Sequence, residues 1–348
     1  MTRTVMLTAL SGLLAWLVAR WVCHRASSLN LVQTPNHRSS HTQPTPNGGG
    51  LGIVVAASVV GAVLQYLHGW LSGSVVLGIA LILALAGLRD DMRPVSARLR
   101  FAVQLSVCAA LLFVLRPLPV VSLLPLINLD ISSWLLFVLL IIMGVWWINL
   151  FNFMDGIDGL AGTQSIFMLM SAAALAWLMQ PAALESPAWV WMICTAAATF
   201  GFLCLNWPPA KIFMGDVGST WLAFILFAFA LLSIQAGWLS YTSWLILSAV
   251  FVTDATMTLL VRMRRGDRWH QAHKSHAYQR LSRHWKNNRK TGHQVVTLIV
   301  AAINILWLLP LSAASLLMPN YSWLWLLLAY APIAMGTFRI GAGRSEHA

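Results

Sequence analysis

Long apolar blocks alternate with short polar breaks along the whole 348-residue chain. The blocks run roughly 15–23 residues, and about 20 apolar helical residues cross a hydrocarbon core of about 30 Å. They place spans at 5–22, 50–67, 71–88, 101–115, 131–150, 162–179, 187–205, 218–234, 238–260, 295–314 and 320–338. They number about eleven; the fourth is short and the break near Gly237 is weak, so the range is ten to eleven. The expectation is an all-α, polytopic transmembrane helical protein. It forms one integral-membrane domain over residues 1–348, with no linker long enough to divide it. The first block resembles a cleaved signal peptide. However, Arg20, Arg25 and the stretch from Thr34 to Gly52 follow with no small-residue cleavage site, so it reads as a retained helix.

The polar breaks are unequal. One set is short; the other is long and motif-rich, and ends in a large loop over 261–294 with room for short interfacial helices. If the N-terminus is periplasmic, the long set is cytosolic and carries all but Arg3 and Arg116 of the 22 basic residues. The excess of Lys and Arg on one side sets that orientation. The outer loops then hold only Asp130 and Glu185 as acids.

Composition agrees. The chain is 59% hydrophobic and 9% charged, against about 25% charged in soluble proteins. The net charge of +12 follows topology. It therefore points to anionic lipid headgroups as partners and away from nucleic acid. The four cysteines are scattered without metal spacing and read as small packing residues.

Asp90, Asp91, Asp155, Asp158, Asp216, Asp254 and Asp267 lie in or beside the breaks. A carboxylate at mid-bilayer costs about 2.5–3.5 kcal/mol on insertion scales, so acids retained here are functional candidates. Asp90 and Asp91 are adjacent at a span end. Such a pair repels, which suits proton acceptance or metal binding, unless Arg89 and Arg93 merely offset it. Asn149, Asn152, Asp155 and Asp158 recur every three residues, a helical spacing that brings them within mutual reach. Amides and carboxylates together can hold a cation and a polar ligand. A calcium loop would need a bidentate Glu that is missing.

Asn206, Lys211 and Asp216 open the eighth span. An aspartate at a helix N-terminus is favoured by the dipole, and free N–H groups there meet phosphate. Asp216 can thus cap its helix, hold Mg²⁺, or both. His270, His273, His276, Lys274 and Arg280 suit an anion such as pyrophosphate. Three histidines could also bind zinc, but carboxylate-rich surroundings favour a harder ion elsewhere.

Four segments, in order, resemble the motifs of the polyprenyl-phosphate N-acetylhexosamine-1-phosphate transferase superfamily. They are Pro35 to His41 with Pro44 to Gly50, Gly87 to Asp91, Asn149 to Gly162, and Phe213 to Ser219. A fifth departs: many members carry His-x-His-His-Arg-Leu, where this chain has His276-Ala277-Tyr278-Gln279-Arg280-Leu281. Asn47 also stands where a basic residue is common.

The resemblance implies a UDP-N-acetylhexosamine donor, an undecaprenyl phosphate acceptor, and multi-pass placement in a bacterial inner membrane. It implies Mg²⁺, with Mn²⁺ as substitute, on Asp216 and Asp155. Asp90 would ensure that the lipid phosphate is fully ionised, and Asp91 would support metal or phosphate. Asn149, Asn152, Asp155, Asp158, Asn206, Lys211, Arg38 and His41 would bind substrate, and His276 and Arg280 would contact the pyrophosphate. A homodimer is compatible with it. All the partners are anionic, so positioning and charge neutralisation should dominate. Direct attack of the lipid phosphate is preferred over an aspartyl-phosphate route because the acceptor is already an anionic nucleophile. The extended first motif and the Tyr-Gln variant look closest to O-antigen-initiating members, whose sugars include N-acetylglucosamine and 6-deoxy amino sugars. The muramoyl-pentapeptide transferase is the nearest rival. A secondary transporter is the rival from another class, but it would need inverted repeats and midplane sites, which the sequence lacks.

Overall fold

A computed structural model describes residues 2–34, 44–118, 133–267, 274–285 and 289–344. Arg38, His41, His270 and His273 lie outside the described residues. The long helices are α1 (Thr2–Arg25), α2 (Leu51–His68), α3 (Leu71–Met92), α4 (Ala97–Val114), α5 (Ser133–Met154), α6 (Leu160–Met179), α7 (Pro187–Asn206) and α8 (Gly215–Gln235). After them come α9 (Tyr241–Leu247), α10 (Ala249–Arg264), α11 (Ala277–His284), α12 (Arg289–Ile303), α13 (Leu309–Leu317) and α14 (Ser322–Ile340). A π segment, Asn304–Leu308, joins α12 to α13. A two-residue antiparallel pair, Val32–Gln33 with Thr45–Pro46, closes the first long loop.

Among the described residues, ten helices are long and apolar enough to cross a membrane. The chain is all-α and polytopic as expected. The span expected over 238–260 is bent: α9 and α10 meet at Ser248 at 72°, and the pair counted as one span gives eleven. Lipid offers no hydrogen bonds to a broken helix, so its carbonyls must find protein donors. Gln164 Nε2 donates to the Leu247 carbonyl at 3.0 Å, the Tyr330 hydroxyl to that of Leu245 at 2.8 Å, and Ser312 Oγ to that of Ser243 at 3.3 Å.

The centre of the bundle is α8, which packs on α3 and α5. Val217 through Leu226 are all buried, as expected of a helix apolar on every face. Indole N–H groups tie neighbouring helices: Trp191 donates to the Ala57 carbonyl and Trp147 to that of Ala223. Chain direction then sets the site. Helices α3 and α5 end, and α4, α6 and α8 begin, at one and the same end of the bundle, which gathers the motif residues.

Candidate functional site

The site grows from the first turn of α8. Gly215 enters it with φ of +76°, a conformation that favours glycine, and a Cβ there would lie 2.6 Å from Asp91 Oδ2. The carboxylate of Asp91, at the end of α3, accepts the amides of Asp216 and Val217, each at 2.9 Å. Asn47 Nδ2 adds a third bond at 3.0 Å. Asp91 therefore caps α8 from another helix, satisfying N–H groups that have no partner within it.

That cap aims Asp216. Asn152 Nδ2 donates to Asp216 Oδ1 at 2.8 Å and to Ser219 Oγ at 2.9 Å. Asp216 Oδ2 lies 3.7 Å from the guanidinium of Arg100, which also pairs with Asp90 Oδ2 at 2.8 Å. Asp90 Oδ1 accepts the Val95 amide at 2.6 Å. Both oxygens of Asp90 are thus occupied, and its visible task is to hold Arg100 beside Asp216. Arg100 is the site cation that sequence reasoning passed over. In the sequence it reads only as one of the residues setting topology, because a basic residue opening a span looks the same whether it marks an orientation or meets a phosphate.

Asp155 is different. It follows α5 directly, and its carboxylate meets no hydrogen-bond donor among the described residues. Burial raises its pKa well above the ordinary carboxylate range, and the charges of Asp216, Asp91 and Asp158 push it further the same way. An excess of negative charge beside one unpaired carboxylate is an environment that a cation would relieve.

The remaining residues tie the site together. Asp158 is buried; its Oδ2 accepts the Ala210 amide at 3.0 Å and lies 3.3 Å from His293 Nδ1. Asn206 accepts the Gly159 amide and donates to the Ile212 carbonyl, both at 2.9 Å. Asn149 donates to Gln104 Oε1 at 2.7 Å, and its neighbour in the motif, Asn152, is the one that reaches Asp216. Asp158, Asn206 and Asn149, expected to hold the donor, spend these bonds on protein partners. His293 had no motif around it and carried no signal in the sequence. Lys211 is exposed beside the loop that Asn206 closes. Arg280 turns to the chain's end, donating through Nε to the Ile340 carbonyl at 3.0 Å and through a terminal nitrogen to that of Arg344 at 3.1 Å. His276 is buried, its Nδ1 3.3 Å from Asp254 Oδ1. No group of three or more His, Cys, Asp or Glu side chains among the described residues is arranged to enclose a metal by itself.

A family model described as glycosyl transferase family 4 matches residues 74–234, which takes in Asp90, Asn152, Asp155 and Asp216. A Bacillus subtilis protein named probable undecaprenyl-phosphate N-acetylglucosaminyl 1-phosphate transferase is 28% identical over 81% of this chain and 78% of its own length. A decaprenyl-phosphate N-acetylglucosaminephosphotransferase of Mycolicibacterium smegmatis is 29% identical over 73% of this chain and 68% of its own. A phospho-N-acetylmuramoyl-pentapeptide-transferase of Desulforudis audaxviator is 29% identical over 63% of this chain and 70% of its own. The bundle, the motif order and these relatives support a likeness to the polyprenyl-phosphate N-acetylhexosamine-1-phosphate transferase superfamily, and the chain is a multi-pass protein of a bacterial inner membrane.

Proposed function

We propose that this chain transfers an N-acetylhexosamine 1-phosphate from a UDP-sugar to undecaprenyl phosphate and releases UMP. The observation that carries the reading is the meeting of Asp90, Asp91, Asn152 and Asp216, with Arg100 and Asp155, at one end of a membrane bundle. An acceptor tail can stay in lipid while its phosphate reaches that end. With the basic loops inside, that end faces the cytosol, where nucleotide-sugars are.

The donor set fits Mg²⁺. Asp155 has no hydrogen-bond donor among the described residues, Asp216 has an oxygen facing the same charge cluster, and both offer hard oxygens. Mg²⁺ commonly uses one or two carboxylates and takes its other ligands from phosphate and water, so an enclosing cage is not required. When bound, the ion would neutralise charge on the pyrophosphate and the departing UMP. Asn152 orients Asp216, and Asp91 holds the helix start that carries it. A lipid phosphate with a second pKa near 6 is mostly dianionic at neutral pH. Asp90 therefore serves by presenting Arg100 to that phosphate, with proton removal as a minor addition. The acceptor oxygen attacks the sugar-bearing phosphorus directly.

UDP-N-acetylglucosamine is the first donor to try, since the names of the Bacillus and Mycolicibacterium relatives carry that sugar. The Tyr278–Gln279 variant keeps 6-deoxy amino sugars of O-antigen type in the panel. The match to the Desulforudis protein adds UDP-N-acetylmuramoyl-pentapeptide. Purified protein in detergent with undecaprenyl phosphate should release UMP from one of these donors, and chelation should stop the release. No UMP from any donor would overturn the reading; release unaffected by chelation would remove the metal.

A further inference from the structure

Asp254 has no part in the site as described, yet it is 3% exposed within the apolar helix α10. A buried carboxylate in such a place must be compensated by donors. Four converge on it. Thr258 Oγ1 lies 3.1 Å from Oδ1, the Ala277 amide 2.9 Å from Oδ1, the Tyr278 amide 2.9 Å from Oδ2, and His276 Nδ1 3.3 Å from Oδ1. Three of the four come from the entry to α11, more than twenty residues further along the chain.

What Asp254 fastens on one side touches the site on the other. The Tyr278 hydroxyl donates to the Phe153 carbonyl at 2.9 Å, two residues before Asp155. Gly156 leaves room for that contact, because a Cβ there would strike the Tyr278 hydroxyl. The His276 ring stacks on that of Tyr278, with centroids 5.6 Å apart and planes at 27°, and lies 6.4 Å from Phe153. One carboxylate therefore sets the rotation of the His276 ring and the seat of Tyr278 against the turn that carries Asp155. A carboxylate partner also favours the proton on Nδ1 of a neutral imidazole, and so selects its tautomer.

We propose that Asp254 is a positioning residue for the donor half of the site: it acts through His276 and Tyr278 on the turn at Asp155. The inference rests on the transferase reading above. It separates donor from acceptor, because α11 meets the turn at Asp155, while Asp90 and Arg100 belong to the α3–α4 side.

The test is a set of kinetic measurements on wild type, Asp254→Asn, His276→Gln and the double variant, in Mg²⁺, with donor and acceptor varied separately. Each single change should raise the donor KM about tenfold, the low end for losing a partner that orients a ligand group. The acceptor KM should stay within about twofold, and the double variant should be no worse than the worse single, as for residues acting as one unit. Multiplying effects in the double variant, or donor and acceptor KM rising together, would overturn the proposal. Thr258→Val covers the case in which Asp254→Asn does not fold. It removes one donor to Asp254 at nearly constant volume, and an unchanged donor KM there would also overturn it. A wild-type protein inactive with every donor would instead sink the transferase reading itself.

Discussion

Asp91 is the residue whose role the structure most changes, and Asp91→Asn tests that change. Asp91 receives three donors, the amides of Asp216 and Val217 and the side chain of Asn47. Asparagine is nearly isosteric but keeps one acceptor oxygen, so its own NH₂ must face at least one of those donors. A hydrogen bond to a charged group contributes about 1.5–3 kcal/mol. The lost charge at a helix N-terminus adds about 0.3–1 kcal/mol. Relief of repulsion against Asp216 and Asp90 offsets part of this. The expected net loss is about 2 kcal/mol, concentrated at the start of α8. The assay is thermal unfolding in detergent, followed by labelling of the buried thiols of Cys108 and Cys194, alongside turnover. The variant should unfold a few degrees lower and lose most activity, and additional Mg²⁺ should not restore it. An unchanged unfolding midpoint with turnover reduced by orders of magnitude would refute the reasoning, because Asp91 would then act in the chemistry and not as a cap.

Three further outcomes follow from the same geometry. Asp155→Asn should raise the unfolding midpoint of metal-free protein at neutral pH and abolish stabilisation by Mg²⁺. Because the folded-state pKa of Asp155 is raised, the ionised form costs stability as pH climbs through that value, so the gain should disappear at acid pH where both proteins are neutral there; a gain that persists at acid pH would contradict this. His293→Ala, which strips a partner from buried Asp158, should destabilise by about 1–3 kcal/mol, and unfolding indistinguishable from wild type would show the pair to be inert. Gln164→Leu, which leaves the Leu247 carbonyl without its donor, should cost about 0.6–2 kcal/mol, and a variant as stable as wild type would mean the bend is held elsewhere.

Much of the bundle was legible because apolar run length maps directly onto membrane thickness. The bend at Ser248 was not: averaged hydropathy over 238–260 is insensitive to a break whose carbonyls are satisfied by Gln164, Ser312 and Tyr330, residues distant in sequence. The motif acids were legible as a set, since carboxylates in a lipid-dwelling chain need a reason to be there. Their division of labour was hidden. An Asx side chain serves a ligand or a backbone amide equally well, so Asp158 and Asn206 looked like ligand holders although they bond Ala210, Gly159 and Ile212. Arg100 was hidden by its resemblance to a topology marker, and His293 by standing alone.

The break between α9 and α10 also bears on how the protein is made. A straight apolar helix can enter the bilayer by itself as it leaves the ribosome. This segment cannot hold its final shape that way, because the groups that satisfy its open carbonyls belong partly to α13 and α14, which are synthesised later. Asp254 depends likewise on α11. The donor half of the site should therefore assemble only after the last helices have been inserted, so a nascent chain stalled before Tyr330 would carry the motif carboxylates yet lack a finished pocket.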